Sequence, residues 1–233
     1  MNSFASAQYN RDTPAALPFS RVLDQKPSAD DLYSQIFDAI LDQRIEPGSR
    51  FTEESLGQMF GASRSHVRRV LTRLSHEQIV ILRPNHRPQI ATPAPEQTRQ
   101  ILHARRLTET TLVQLACQQP RPDALKALHA LIDQYRHNQA RGQYGAAIRL
   151  SGEFHLRLAD MARNAPLAHF LGSLVPMTSL AVAQREQRTV CDHAMQAHIA
   201  IVEAVERADI NAAVRLVAQQ LADLEQRLLG SAP

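Results

Sequence analysis

Cysteine is scarce in this chain. Cys117 and Cys191 are the only two, and their spacing suits neither a metal finger nor a disulfide framework, so both read as reduced thiols. Apolar residues never run uninterrupted for the length of a membrane span, which predicts no transmembrane helix and no membrane partner. The opening stretch, Met1 to Gln25, mixes Asn, Ser, Asp and Pro and lacks an apolar h-region. It reads as part of a flexible arm over residues 1–27 rather than a secretory signal, and it points to a cytoplasmic protein. Lysine is nearly missing: Lys26 and Lys126 stand alone, so almost all positive charge is arginine. No internal repeat, low-complexity tract, glycine-rich phosphate loop or nucleophile elbow is present, which removes familiar signs of an enzyme.

What is present is unevenly placed. The net charge is only +3, yet between Phe60 and Ile90 Arg64, Arg68, Arg69, Arg73, Arg83 and Arg87 face a single acid, Glu77. His66, His76 and His86 join them. A charge excess confined to one short stretch is the footprint of a surface for a polyanion. At 233 residues and 44% hydrophobic, the chain suffices for two small domains with their own cores.

Local signals divide the chain. Ser28 and Asp31 form a capping pair ahead of Tyr33, Ile36, Phe37, Ile40 and Leu41, whose spacing predicts an amphipathic helix that ends before Pro47-Gly48. Thr52 caps a short second helix carrying Leu56, Met59 and Phe60, and Gly61 stops it. Ser63 caps a third helix with Val67, Val70, Leu71 and Leu74 on its apolar face. The connection Gly61-Ala62 is as short as in a helix-turn-helix. Ile79 to Leu82 and Gln89 to Ala91 flank a polar turn and predict a two-stranded hairpin. Pro93 and Pro95 mark a hinge. Beyond them the pattern predicts six helices, over 96–118, 122–138, 143–163, 166–185, 189–207 and 210–229. The expected fold is mainly α: a winged helix-turn-helix over 28–93, then an antiparallel helical bundle over 96–230.

The start of a recognition helix reaches base edges in the major groove. Here it carries Ser63, Arg64, Ser65, His66, Arg68 and Arg69, with Arg73 further along the same face. Asn85 and Arg87 lie in the turn of the hairpin, suited to a neighbouring groove. The expected partner is double-stranded operator DNA.

The residues from Leu32 to Glu109 resemble the GntR family of bacterial regulators. Glu46-Pro47-Gly48-Ser49 matches the family's "PG" turn, and Ser63-Arg64-Ser65-His66-Val67-Arg68 opens its recognition segment. The resemblance implies base- and phosphate-contacting roles for Arg64 and Arg68. The family wing carries a glycine at its tip, where Arg87-Pro88 stands here. The helical half, from Glu96 to Leu229, resembles the FCD effector-binding domain of the FadR subgroup, whose opening "R…lE" pattern appears as Arg105-Arg106-Leu107-Thr108-Glu109.

The FCD resemblance implies a divalent metal of the zinc or nickel type, held by an Asp one turn before a His and by two later His. That spacing leads here to positions 151, 155, 198 and 220, occupied by Ser151, His155, His198 and Gln220. A hydroxyl and an amide oxygen replace a carboxylate and an imidazole, which lowers metal affinity. Three readings of His155 and His198 stay open: hydrogen bonding an effector directly, holding a metal with Gln220 and effector oxygens, or serving as core residues. Arg105 or Arg106 adds a cation for a carboxylate.

The function implied is a homodimeric transcriptional repressor governed by a small metabolite, an organic acid. The alternatives are a metal-free regulator sensing an acyl thioester and a metal-dependent enzyme. Against the enzyme, no carboxylate is visible in the cluster as a general base.

Overall fold

The computed structural model describes residues 29–185 and 190–230. The arm over 1–27, the Ser28 cap and the Cys191 side chain lie outside the described residues. The head comprises α1 (Ala29–Leu41), α2 (Glu53–Phe60), α3 (Arg64–His76), β1 (Val80–Ile81) and β2 (Gln89–Ile90). Six longer helices follow: α4 (Pro95–Gln118), α5 (Pro122–Ala140), α6 (Tyr144–Met161), α7 (Ala165–Arg185), α8 (Val190–Glu206) and α9 (Ile210–Leu229).

Capping chemistry sets the helix-turn-helix. The Thr52 hydroxyl accepts from the Ser55 N–H at 3.0 Å while the Ser55 hydroxyl accepts from the Thr52 N–H at 3.1 Å. Two N–H groups that a helix start leaves unpaired are thereby satisfied. Gly61 ends α2 at φ +63, the left-handed conformation that costs glycine least. Ser63 restarts the chain as the cap of α3. The Val67, Val70, Leu71 and Leu74 face of α3 is buried against Leu32, Ile36 and Ile40 of α1. Each such side chain contributes roughly 1.5–3 kcal/mol.

β1 and β2 pair antiparallel, Val80 with Ile90 and Ile81 with Gln89. The strands are shorter than the sequence pattern suggests, because Pro84 and Pro88 bring no N–H to the ladder. The tip turns through Asn85 at φ +59, with the His86 N–H donating to the Arg83 carbonyl at 3.1 Å. Asn85, one of the few residue types that tolerate this region, thus supplies the conformation a wing glycine would give. The segment 49–51 extends the small sheet through an Arg50–Gln89 bridge.

The junction expected to be a hinge is tied down. Pro95 is the first residue of α4, and the preceding strand is held by Gln184, whose amide donates to the Ala91 carbonyl at 2.9 Å. Gln43 of the head donates to the Ala183 carbonyl of α7 at 2.6 Å. Buried apolar residues of head and bundle form one continuous cluster. α7 has the length and apolar composition of a membrane span. Its buried residues, Leu171 and Val175 among them, pack within the bundle as those of a core helix do.

Head and bundle approach closely at Gly145, in the first turn of α6. A Cβ there would stand 2.4 Å from the Asp38 carbonyl oxygen and 2.7 Å from the Asp42 carboxylate. Its N–H donates to Asp42 Oδ1 at 2.5 Å. One turn on, Arg149 binds Asp38 through Nε at 2.6 Å and Nη2 at 3.2 Å. Gly145→Ala therefore forces α1 and α6 apart. Overpacking of this kind costs about 1–3 kcal/mol, which lowers Tm by roughly 2–12 °C in a chain of this size. Calorimetry checks this, and an unchanged Tm contradicts the close packing.

Candidate functional site

Two groups of polar residues stand out. The first is the exposed face of α3. Ser63, Arg64, Ser65, Arg68 and Arg69 are exposed at its N-terminal end, and His66 is half-buried. The arginines of this face are less free than the local charge excess suggests. Arg64 pairs with Glu54 at 2.9 Å. Arg68 grips Glu53 with both Nε and Nη2, at 2.8 and 2.7 Å. Hydrogen bonding from Arg68 holds the Glu53 carboxyl below its usual range. Both acids sit in the first turn of α2, where the helix dipole favours them. The pairing orients the two arginines before any polyanion arrives.

Arg73 is placed differently from the other arginines. Its guanidinium stacks 3.7 Å over the Tyr33 ring and pairs with Glu77 at 3.1 Å and Asp30 at 3.3 Å. Tyr33 in turn donates to Glu77 at 2.6 Å. This cluster fastens α3 to α1, so Arg73, with about half of its side chain exposed, is also engaged within the head. Asn85 and Arg87 are exposed at the wing tip.

The second group surrounds a cavity of about 50 Å³ inside the bundle, lined by residues from each of the helices α4 to α9. Arg105, Ser151, His155 and Gln220 all line it, together with Thr178, Ser179 and Arg227. Arg106 does not: it points outward on α4, 3.6 Å from Glu225. Neighbouring helix positions diverge by about 100°, and the buried face of α4 carries Arg105. His198 is also absent from the wall. Its ring is stacked on Phe154 at 4.0 Å between centroids and is 1% exposed, with its centroid 5.2 Å from that of His155. Burial first, then His155 and Arg105 beside it, hold its pKa well below the usual value, so it is neutral.

A carboxylate missed by sequence reasoning organises the wall. Glu109, 4% exposed, accepts from Arg105 Nε at 2.6 Å through Oε1, and its Oε2 lies 2.6 Å from His155 Nδ1. Burial alone would raise its pKa, but Arg105 and His155 together outweigh burial and hold it at about 2. The available signal was the separation of Arg105 and Glu109 by four residues, which puts them on one helix face.

The donor set does not suit the divalent metal that the FCD resemblance implies. Ser151 and Gln220 offer neutral oxygens, His198 is stacked on Phe154 and does not line the cavity, and Glu109 is engaged by Arg105 and His155. Among the described residues, no three His, Cys, Asp or Glu side chains converge as metal ligands. A guanidinium lines the space instead.

Two family models match the chain. The model of the FCD domain matches residues 100–223, and that of the bacterial regulatory proteins of the gntR family matches residues 28–87. No curated protein matches the chain significantly. Among solved structures, a putative GntR transcriptional regulator from Rhodococcus sp. RHA1 superposes with a TM-score of 0.71 at 20% identity, covering 88% of this chain and 99% of that one. E. coli McbR/YncC superposes with a TM-score of 0.69 at 18% identity, covering 85% and 97%. At these identities the likeness concerns the fold.

Proposed function

The chain belongs to the GntR family of bacterial regulatory proteins, in its FCD-containing branch, and we propose that it is a homodimeric repressor released from its operator by a small organic acid. Residues 28–93 read DNA; residues 96–230 bind the effector and pair the two copies. Both partners work in the cytoplasm. DNA binding, effector control and the lack of an enzymatic role follow from the family. We infer repression, dimerisation and the acid beyond that.

One observation carries the coupling. Helix α6 serves both sites: its first turns hold the head through Gly145–Asp42 and Arg149–Asp38, and its next turns present Ser151 and His155 to the cavity. An effector that repositions α6 therefore acts on α1 directly, and α1 packs on the recognition helix through the buried face of α3. Interfaces packed this closely respond by switching rather than by smooth deformation. In a dimer, recognition helices sit about 34–36 Å apart on two half-sites, so a small change in their spacing weakens binding. The coupling is reciprocal: DNA lowers effector affinity by the factor by which effector lowers DNA affinity.

Selection from a random duplex pool tests this reading. The full-length protein is expected to enrich an inverted repeat with half-sites one helical turn apart. Recovery of no motif, with uniform salt-sensitive binding instead, overturns it.

A further inference from the structure

The wall of the cavity carries more positive charge than its neighbours neutralise. Among the described residues, no acidic residue lines it. Arg105 is balanced by Glu109 behind it, yet its Nη2, fully buried, has no acceptor. Arg227, in the last turn of α9, makes no ion pair among the described residues, and its buried Nε also lacks an acceptor. Nor does the wall lack only acceptors: Gln220 Oε1, two turns before Arg227 on α9, is buried without a donor. Unpaired buried polar groups of this kind are costly and are met by a partner. The rest of the wall is apolar, from Ile148, Val182, Leu221 and Leu224.

We propose that the cavity binds a small monocarboxylic hydroxy acid without any metal, its carboxylate held by Arg105 and Arg227 and its hydroxyl donating to Gln220. This rests on the effector-binding reading of the cavity and names the ligand class. One carboxylate matches the single unbalanced charge of Arg227 and has lone pairs enough for both guanidinium donors. The hydroxyl supplies the donor that Gln220 lacks. A short aliphatic body meets the apolar wall. Arg227 takes the charge-bearing place that a metal would fill, seven residues beyond Gln220 on the same face of α9.

The test uses full-length protein dialysed against a chelator, with ligand binding read by thermal shift and calorimetric titration. The probes are lactate and its longer 2-hydroxy homologues up to 2-hydroxyhexanoate, each beside its deoxy acid and its neutral amide. A hydroxy acid is expected to bind best, its deoxy analogue more weakly, and the amide not at all. Arg227→Met is expected to keep the unfolding transition, since Arg227 makes no ion pair among the described residues, and to weaken binding about 10- to 100-fold, the usual effect of a lost bond to a charged group. Gln220→Leu is expected to erase the preference for hydroxy over deoxy acid.

Equal binding by Arg227→Met, binding that needs added zinc, or no hydroxy acid bound at all overturns the proposal. If a neutral amide binds and alters DNA affinity, the cavity is an effector site of another class. If none of the probes binds and Arg227→Met leaves DNA control in extracts intact, the effector reading of the cavity falls with it.

Discussion

Arg64→Ala and Arg68→Ala are each expected to lower affinity for the selected operator by about 5- to 150-fold, the range of one good bidentate arginine–guanine contact at 1–3 kcal/mol. Fluorescence anisotropy with the operator and with scrambled DNA measures it. The loss falls mainly on the operator, because a base contact discriminates whereas a phosphate contact weakens all sequences alike. The geometry before binding sharpens the expectation. Arg68 is held in both directions by Glu53, and Arg64 by Glu54, so each guanidinium must leave a carboxylate to meet DNA. Glu53→Gln should therefore raise affinity for scrambled DNA while Arg68→Ala reduces operator affinity. Arg73→Ala behaves differently: it loosens the Tyr33–Glu77 cluster and shows as lower thermal stability of the head. If Arg68→Ala leaves operator affinity unchanged, α3 is not the reading helix and the head serves protein contacts instead.

Glu109→Gln is expected to destabilise the bundle by about 3–5 kcal/mol, the cost of leaving one partner of a buried ion pair unmatched. Arg105 is 3% exposed and would keep its charge with no carboxylate on Nε and none on Nη2. In a chain of this size the change lowers Tm by roughly 6–20 °C, read by calorimetry at neutral pH. Its pH dependence has a definite sign. The folded pKa of Glu109, about 2, lies below the ordinary value of 4.5, so the ionised carboxylate stabilises the fold fully above pH 4.5. That contribution is lost as pH falls from 4.5 toward 2, when the unfolded chain takes up a proton that the folded one resists. The wild-type protein should therefore lose stability through this window, and Glu109→Gln should lack that component. A Tm within about 2 °C of wild type would show that the pair contributes no net stability.

The head was legible because its signals are local. A capping hydroxyl, a glycine with positive φ and apolar residues three and four apart each act within one or two turns, so Thr52, Gly61, Ser63 and the Val67–Leu74 face announced themselves. The six bundle helices were readable for the same reason, to within a few residues of their ends. The charge excess around α3 was read correctly as a count but incompletely as a surface. Its balancing acids, Glu53, Glu54 and Asp30, lie outside the arginine stretch and meet it only when α1 and α2 fold against α3.

The cavity was less legible. Family spacing brought Ser151, His155 and Gln220 to one wall, but it also nominated His198, which stacks on Phe154 beside His155 instead of lining the cavity, and it left Arg105 and Arg106 undecided. By itself the sequence determined two units, a DNA-reading face and a polar patch inside a helical bundle, because periodicity, caps and charge runs are properties of neighbouring residues. The tertiary structure decided that Glu109 pairs Arg105 with His155, that Arg227 joins the wall, and that α6 ties cavity to head. Those depend on which faces of distant helices meet, and burial at those meetings is what turns an ordinary carboxylate or arginine into a group with a task.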